Sequence, residues 1–452
     1  MTFPSLEKLN KALLLGALVA LIYRVSNFCN TFLPKPFELV LALVALITLF
    51  EIIKNRNRIS EFWFSVPKTV RIASILLVGS VLFGWVFAIF ILGIPVSPNS
   101  ILEFGTFGIS LLSFILIIIH THNDTAQARR YFYALILPVC YGIVIIFPAI
   151  AYYFGLVPFD NFAGWTLNVN TVAKTLLLPA IFFVAKSLFE NQNQWRKFTY
   201  ISLSAITIAL IFWTASRGGI LSLSIGVFVA WIIFIARDFN WRKIFSSAGI
   251  IFCIFFFGFI LTPRVGMKAL LGRFSTHSVP EAVYSFFRGD LSSVAGASSL
   301  AIKNKNFAVP GSVCDIAKSL PDVYSRAAHP EPETRLKIWP FYLRHSFSTP
   351  SGIGPNTHLQ FDLTDKNGNY VVTGPHNTYI QVLFWGGFSG ITAFLIIIFL
   401  ALKRMRERVR TEFTSITIAL FSVLIALSVS IMFDDSLSFY WFFIILGLSF
   451  RI

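Results

Sequence analysis

Long apolar runs, separated by short polar connections, dominate the chain. A helix needs roughly 20 apolar residues to cross a bilayer, and twelve runs approach or exceed that length. They lie at residues 10–28, 36–53, 72–95, 100–120, 132–155, 169–188, 198–213, 218–236, 244–262, 377–402, 413–432 and 436–450. The pattern predicts an all-α polytopic membrane protein with about twelve transmembrane helices.

The distribution of Lys and Arg predicts how these helices are oriented. Basic residues fill alternate connections, namely 54–71, 128–130, 194–198, 237–243 and 403–410. The intervening short connections, 93–100, 154–168 and 433–436, contain no Lys or Arg. Short loops that are rich in Lys and Arg stay on the cytoplasmic side. Both termini are therefore predicted to be cytoplasmic.

Composition agrees with a membrane protein and changes how the net charge is interpreted. The chain has 452 residues, of which 56% are hydrophobic and only 13% charged. The formal net charge of +16 invites a nucleic-acid interpretation. Because the basic residues lie in short blocks between apolar runs, they are assigned to membrane orientation instead, and no nucleic-acid partner is expected.

One long polar segment interrupts the series of helices. It covers residues 263–375 and contains four of the seven His, with His376 immediately after it. The chain then divides into helices 1–9 (residues 1–262), a large loop on the outer side, and helices 10–12 (residues 376–452). Loops of this length are usually functional or disordered. A disulfide between Cys29 and Cys314 remains an open alternative.

The sequence "TASRGG" (214–219) places an arginine at the outer edge of a predicted helix. Ser216 is a suitable N-cap for that helix. Arg217 then lies at a helix N-terminus, where the helix dipole disfavours a cation. Charges near the hydrocarbon edge are costly and are usually functional. Two interpretations stay open, an anion-binding arginine and an arginine that reaches lipid headgroups.

The loop sequence "RLKIW" offers a second arginine. Arg335 and Trp339 are four residues apart, so they share one face of a helix. Trp339 and Pro340 are suited to the membrane interface. The alternative is an amphipathic surface helix with a solvated arginine.

A histidine ends the loop in "GPHNTYIQVLFWGGFSG" (374–390). Asn377 is placed to cap the following helix. His376 therefore lies at a helix N-terminus, where its protonated form is disfavoured. A neutral imidazole can accept a proton at neutral pH. A single His at a membrane interface can also serve as a polar anchor. The assignment of His376 as a general base therefore depends on its combination with Arg217 and Arg335.

Together these residues indicate one kind of chemistry. A base and two guanidinium groups on one side of a membrane suit attack by a hydroxyl on a substrate whose leaving group is a phosphate or diphosphate. The sequence contains no DxD, HExxH or other metal-ligand motif. The expected site uses no metal and no cofactor.

At this point five motifs resemble, in order, those of the O-antigen ligase and polymerase superfamily. The His-Asn pair with its Gly-rich continuation resembles the family's hallmark, and "TPSGIGPNTH" (349–358) its preceding turn. "RLKIW" is similar to the Arg–Trp segment, and "TASRGG" to the Ser-Arg-Gly element. "LNVNTVAK" (167–174), which contains Asn170, resembles an Asn-x-Asn element, with Val169 where Pro is usual. The likeness covers roughly residues 165 to 400.

The resemblance implies an inverting, metal-independent glycosyltransferase of the GT-C type in the bacterial inner membrane, with its active site on the periplasmic side. The implied donor is a glycan on undecaprenyl diphosphate, and the implied acceptor is a sugar of the lipid A core. His376 would be the general base. Arg217 and Arg335 would bind the diphosphate. Asn377, Trp339, Ser216 and Asn170 would support the site.

Three alternatives remain open. A polymerase of O-antigen or capsule shares the donor and the site chemistry and differs in its acceptor. A protein O-oligosaccharyltransferase would use a Ser side chain as acceptor. A secondary transporter belongs to another class, but transporters place ionisable residues near the bilayer centre, whereas polar chemistry here gathers at the outer edge.

Overall fold

The structure is a computed structural model, and it describes most of the predicted helices. The described residues are 6–25, 36–54, 64, 66–93, 98–137, 169–189, 194–214, 216–237, 239–262, 339, 342–355, 363–364, 370–371, 375–433 and 440–452. Most of the predicted loop at 263–375 lies outside them, and so does most of the predicted helix at 132–155.

Within these residues the architecture is almost wholly helical. The helices are α1 (Leu6–Val25), α2 (Pro36–Lys54), α3 (Lys68–Phe90), α4 (Pro98–His120), α5 (Thr125–Ala134), α6 (Val169–Phe189), α7 (Gln194–Trp213), α8 (Arg217–Arg237), α9 (Trp241–Leu261), α10 (Thr378–Glu412), α11 (Ser415–Ser430) and α12 (Tyr440–Ser449). A 3₁₀ turn, Ile431–Phe433, follows α11. Two strands of two residues each, β1 (Leu363–Thr364) and β2 (Tyr370–Val371), pair antiparallel. They are a small departure from the predicted all-α class.

The predicted apolar runs and the observed helices coincide within a few residues, except at α5 and at the end of α10. The predicted connection 128–130 lies inside α5, which begins at Thr125 and ends at Ala134, where the run 132–155 is expected to begin. The basic stretch 403–410 is predicted as a connection, but it continues α10 as far as Glu412. Lys, Arg and Glu are good helix formers. Arg408 also forms an ion pair with Glu412 one turn later, and such pairs support an exposed helix.

Several of the helices are built for contact with lipid, which makes this a membrane protein. Among the described residues, five helices are long and apolar enough to cross a bilayer, namely α3, α4, α8, α9 and α10. Large apolar side chains point outward from them, such as Phe83, Phe90 and Phe252, which are 60%, 78% and 67% exposed. A soluble protein rarely exposes so much contiguous apolar surface. The number of twelve crossings stays a prediction.

Small residues bring the helices together. Gly226 of α8 lies against Ile181 of α6 and Ala426 of α11, without room for a Cβ. Gly258 of α9 lies against Ile208 of α7 in the same way. Because lipid is as apolar as Leu, helix association in a membrane relies on such close packing rather than on the hydrophobic effect. Helix α12 is buried over its whole length.

Three contacts establish the relative directions of the helices. Ala173 of α6 lies against Gly219 of α8 near the start of both helices, so these two helices run parallel. At the end of α8, the Arg237 guanidinium lies 4.2 Å from the ring centroid of Phe413, just before α11 begins. The Tyr379 hydroxyl in α10 donates a 2.8 Å hydrogen bond to the Ser428 carbonyl near the end of α11.

It follows that α11 runs antiparallel to α6, to α8 and to the first part of α10. Helices α6, α8 and α10 therefore all begin at one end of the bundle, which we call the His376 end. Helices α6 and α8 finish at the other, which we call the Arg237 end.

Candidate functional site

His376 is held in an unusual backbone conformation at the start of α10. Its φ angle is 46°, in the left-handed region that non-glycine residues rarely adopt. Such a conformation costs on the order of 1–3 kcal/mol and persists only where the surroundings enforce it. The ring is partly buried. The backbone therefore sets the direction of the Cα–Cβ bond from which the imidazole extends.

Asn377 fixes the chain immediately after this turn. Its side-chain oxygen accepts hydrogen bonds from the backbone N–H groups of Tyr379 (3.0 Å) and Ile380 (3.2 Å). This is the N-cap expected from the sequence, and such caps stabilise a helix by about 1 kcal/mol. Asn377 is buried, so its side-chain amide is largely shielded from solvent. By holding the start of α10, Asn377 also restrains the backbone of the preceding residue, His376.

Trp339 approaches the same turn from the loop. Its indole Nε1–H donates a 2.8 Å hydrogen bond to the Pro375 carbonyl, one residue before His376. This bond joins the Arg335–Trp339 motif to the His-Asn motif, although 36 residues separate the two partners. Arg335 lies outside the described residues. Since Arg335 is four residues before Trp339, a helix through both would bring it to the same region.

Ser216 and Arg217 form a second N-terminus at the His376 end. The buried Ser216 hydroxyl accepts a 3.1 Å hydrogen bond from the Gly219 N–H, which makes Ser216 the cap expected from the sequence. Arg217 is the first residue of α8 and is partly buried. The exposed N–H groups of a helix start attract anions. A guanidinium beside them adds to a positive potential at this end.

Ala173, three residues after Asn170, packs directly on this arginine motif. A Cβ on Gly219 would lie 2.5 Å from the Cβ of Ala173, so the first turns of α6 and α8 touch. Asn170 is the second residue of α6, and its side chain lies outside the described ones. Lys174, the next residue after Ala173, is only 4% exposed.

Lys174 is a candidate functional residue that was not predicted from the sequence. The sequence shows it only as a charge near the end of an apolar run. A buried cation within a membrane bundle is usually functional. The sequence "NTVAK" (170–174) could have indicated Lys174, because this lysine belongs to the same motif as Asn170 and Ala173.

The turn "TPSGIGP" is inserted into a break in α10, which the sequence did not predict. Gly387 interrupts the helix with φ 62° and ψ −161°. The Phe384 and Trp385 carbonyls accept hydrogen bonds from the N–H groups of Ile353 (3.0 Å) and Gly354 (2.8 Å). The Phe388 N–H donates to the Pro350 carbonyl at 3.1 Å. Unsatisfied backbone groups cost several kcal/mol in lipid, and the inserted turn removes that cost.

Helix α3 closes this junction from behind. A Cβ on Gly84 would lie 2.5 Å from the Trp385 carbonyl oxygen and 3.0 Å from the backbone carbon of Gly352. Trp85 lies against Gly354 and stacks on Phe104 of α4, with 5.1 Å between ring centroids. The first part of the chain, which carries no motif, thus supports the segment that carries His376.

The His376 end thereby brings together most of the predicted residues. Helix directions place Ser216, Arg217 and the backbone of Asn170 at the same end as His376, Asn377 and Trp339. Among the residues that the structure describes, no group of three or more His, Cys, Asp or Glu side chains is arranged to hold a metal ion. Metal independence and the individual catalytic roles stay predictions.

Comparison with known proteins supports the motif-based resemblance. Residues 202–395 match the family described as O-antigen ligase. The match contains the motifs of Arg217, Arg335 and His376 and leaves Asn170 outside. No curated protein sequence matches the chain. The predicted likeness to the O-antigen ligase superfamily is thereby confirmed, and it rests on residues 202–395.

Proposed function

We propose that the protein is an O-antigen ligase of the bacterial inner membrane. It transfers a polysaccharide from undecaprenyl diphosphate to a sugar hydroxyl of lipid A-core on the periplasmic side. The hydrogen bond between Trp339 and Pro375 carries this proposal, because it unites two distant family motifs beside the candidate base. The large loop at 263–375, the twelve crossings and the cytoplasmic termini belong to the same proposal.

In the proposed reaction His376 acts as the general base. The neutral imidazole takes the proton of the acceptor hydroxyl as the oxygen attacks the anomeric carbon. The bond between that carbon and the diphosphate oxygen breaks, and the bonding electron pair leaves with the diphosphate. General base catalysis of this kind contributes roughly 10²- to 10⁴-fold.

Two arginines offset the charge that develops on the leaving group. Arg217 is placed at a helix start, where backbone N–H groups add to its positive potential. Arg335, four residues before Trp339 in the sequence, is proposed as the second phosphate-binding arginine. Planar guanidinium groups bind phosphate oxygens in pairs, so two of them can replace the usual metal ion. Direct attack inverts the anomeric centre, since a retaining reaction normally needs a carboxylate nucleophile.

The lipopolysaccharide profile of a deletion strain tests the proposal. For a ligase, O-antigen disappears from the core while full-length polymer accumulates on its carrier, and the wild-type gene restores attachment. A core that carries a single repeat unit would instead indicate a polymerase. Transfer that stops on addition of a chelator would contradict the metal-free reaction. Normal lipopolysaccharide in the deletion strain would remove the ligase proposal.

A further inference from the structure

The Arg237 end contains a cavity that the proposed reaction does not use. Its volume is about 300 Å³, which lies at the lower end of the range for small-ligand pockets. We call it the basic cavity. It is lined by Arg129, Lys186, Phe189, Arg237, Phe413, Thr414, Ser415 and Ile416.

Three cations from three separate helices converge on the basic cavity. Arg129 comes from α5, Lys186 from the last turn of α6 and Arg237 from the end of α8. None of the described lining residues is acidic. Like charges around one concave space repel each other, and a bound anion offsets that repulsion. The arrangement favours a ligand that carries negative charge.

Aromatic rings hold two of these cations in place. The Arg237 guanidinium lies 4.2 Å from the centroid of Phe413. The Lys186 ammonium lies 5.8 and 5.9 Å from the centroids of Phe182 and Tyr200. Contacts at these distances are attractive cation–π interactions. They restrict long side chains that would otherwise move freely, so less entropy is lost when a ligand binds.

A helix start adds to the positive potential. Helix α11 begins at Ser415, and Thr414 forms a capping box with Thr417. The first N–H groups of a helix and its dipole favour negative charge. Phe189 and Ile416 give the cavity an apolar side. A phosphate group joined to an apolar body fits this combination better than a free inorganic ion.

We propose that the basic cavity binds the phosphate group of an anionic phospholipid, at the membrane surface opposite the His376 end. Basic pockets between transmembrane helices on the cytoplasmic side are suited to such headgroups. A soluble phosphate compound would use the same contacts. Glu190 and Asp238, the neighbours of Phe189 and Arg237 in the sequence, lie outside the described residues and stay unchanged in the test.

The test measures binding to the purified full-length protein in neutral detergent. Phosphatidylglycerol, phosphatidylcholine and inorganic phosphate are titrated separately, with thermal stability and native mass spectrometry as readouts. Hydrogen bonds to charged groups are stronger than those between neutral groups. We therefore expect Arg129→Gln and Arg237→Gln each to weaken phosphatidylglycerol binding by about tenfold or more.

A matched control separates this site from the general charge of the surface. Arg242→Gln removes the same charge from an exposed arginine near the same end, outside the cavity lining, and should change binding less than twofold. Equal loss in the control, or equal binding of phosphatidylcholine, would overturn the proposal. Binding of inorganic phosphate with the same dependence on Arg129 and Arg237 would assign the site to soluble phosphates. Failure of every anion to bind would also overturn it.

Discussion

The two ends of the bundle use charge in different ways. At the His376 end, three polar residues are fixed by the backbone: His376 by a left-handed turn, Asn377 and Ser216 by their capping hydrogen bonds. At the Arg237 end, long cationic side chains surround a cavity and are held by aromatic rings. Chemistry requires groups held within fractions of an ångström, whereas recognition of a headgroup requires mainly charge. The following predictions test this difference.

The largest expected effect follows from removing the candidate base. His376→Ala should lower transfer by about 10²- to 10⁴-fold and change the melting temperature little, because the side chain is partly exposed at the start of a helix. Transfer is measured with purified protein and lipid-linked donor. His345→Ala, in the helical stretch at 342–348, is the matched control and should retain activity. Full activity of His376→Ala would contradict the base assignment.

The next effect concerns the interruption of α10. Gly387→Ala forces an L-residue into φ 62° and brings its Cβ into the Pro350 carbonyl. We expect a loss of stability of about 3 kcal/mol or more, from backbone strain together with lost hydrogen bonds. Gly249→Ala in α9 is the control, since a Cβ there meets nothing within 4 Å. Equal melting temperatures for the two variants would show that the break tolerates a side chain.

Arg335→Lys tests whether a planar guanidinium group binds the proposed diphosphate. An ammonium is a point charge and does not replace a paired contact with phosphate oxygens. We expect a loss of about tenfold in kcat/KM, which corresponds to about 1.4 kcal/mol. Arg344→Lys, an exposed arginine nearby, should stay within twofold. Normal turnover of Arg335→Lys would argue against contact with the diphosphate.

A smaller effect is expected from Trp339→Phe, which keeps an aromatic ring and removes the N–H donor. The bond to the Pro375 carbonyl is then lost, and such bonds contribute about 1 kcal/mol. A several-fold decrease in kcat with little change in stability would fit a positioning role for Trp339. Trp195→Phe, at the exposed start of α7, is the control. An unchanged kcat for Trp339→Phe would show that the turn at His376 holds without this bond.

The smallest effect on transfer is expected from Arg129→Gln in the basic cavity. This exposed residue lies at the opposite end from His376, so transfer in a fixed detergent should change less than twofold even though anionic lipid binding weakens. A loss of transfer as large as that of Arg335→Lys would show that the two ends are coupled.

Several features of the candidate site could be predicted because they depend on neighbours in the sequence. Asn377 and Ser216 cap helices because their oxygens reach N–H groups two or three residues away. The likeness of the motifs to O-antigen ligases is confirmed by the match at residues 202–395. Arg335 stays a prediction, because it lies outside the described residues.

The sequence alone determined that this chain is a helical membrane protein and, within a few residues, where most of its described helices begin, because apolar run length and capping are local properties. The start of α5 at Thr125 was not predicted. Only the tertiary structure decided that residues 350–354 enter the break at Gly387 against Gly84. It also decided that Arg129, Lys186 and Arg237 share one cavity. These contacts join segments tens to hundreds of residues apart, and their energy comes from close packing and backbone hydrogen bonds that no local pattern records.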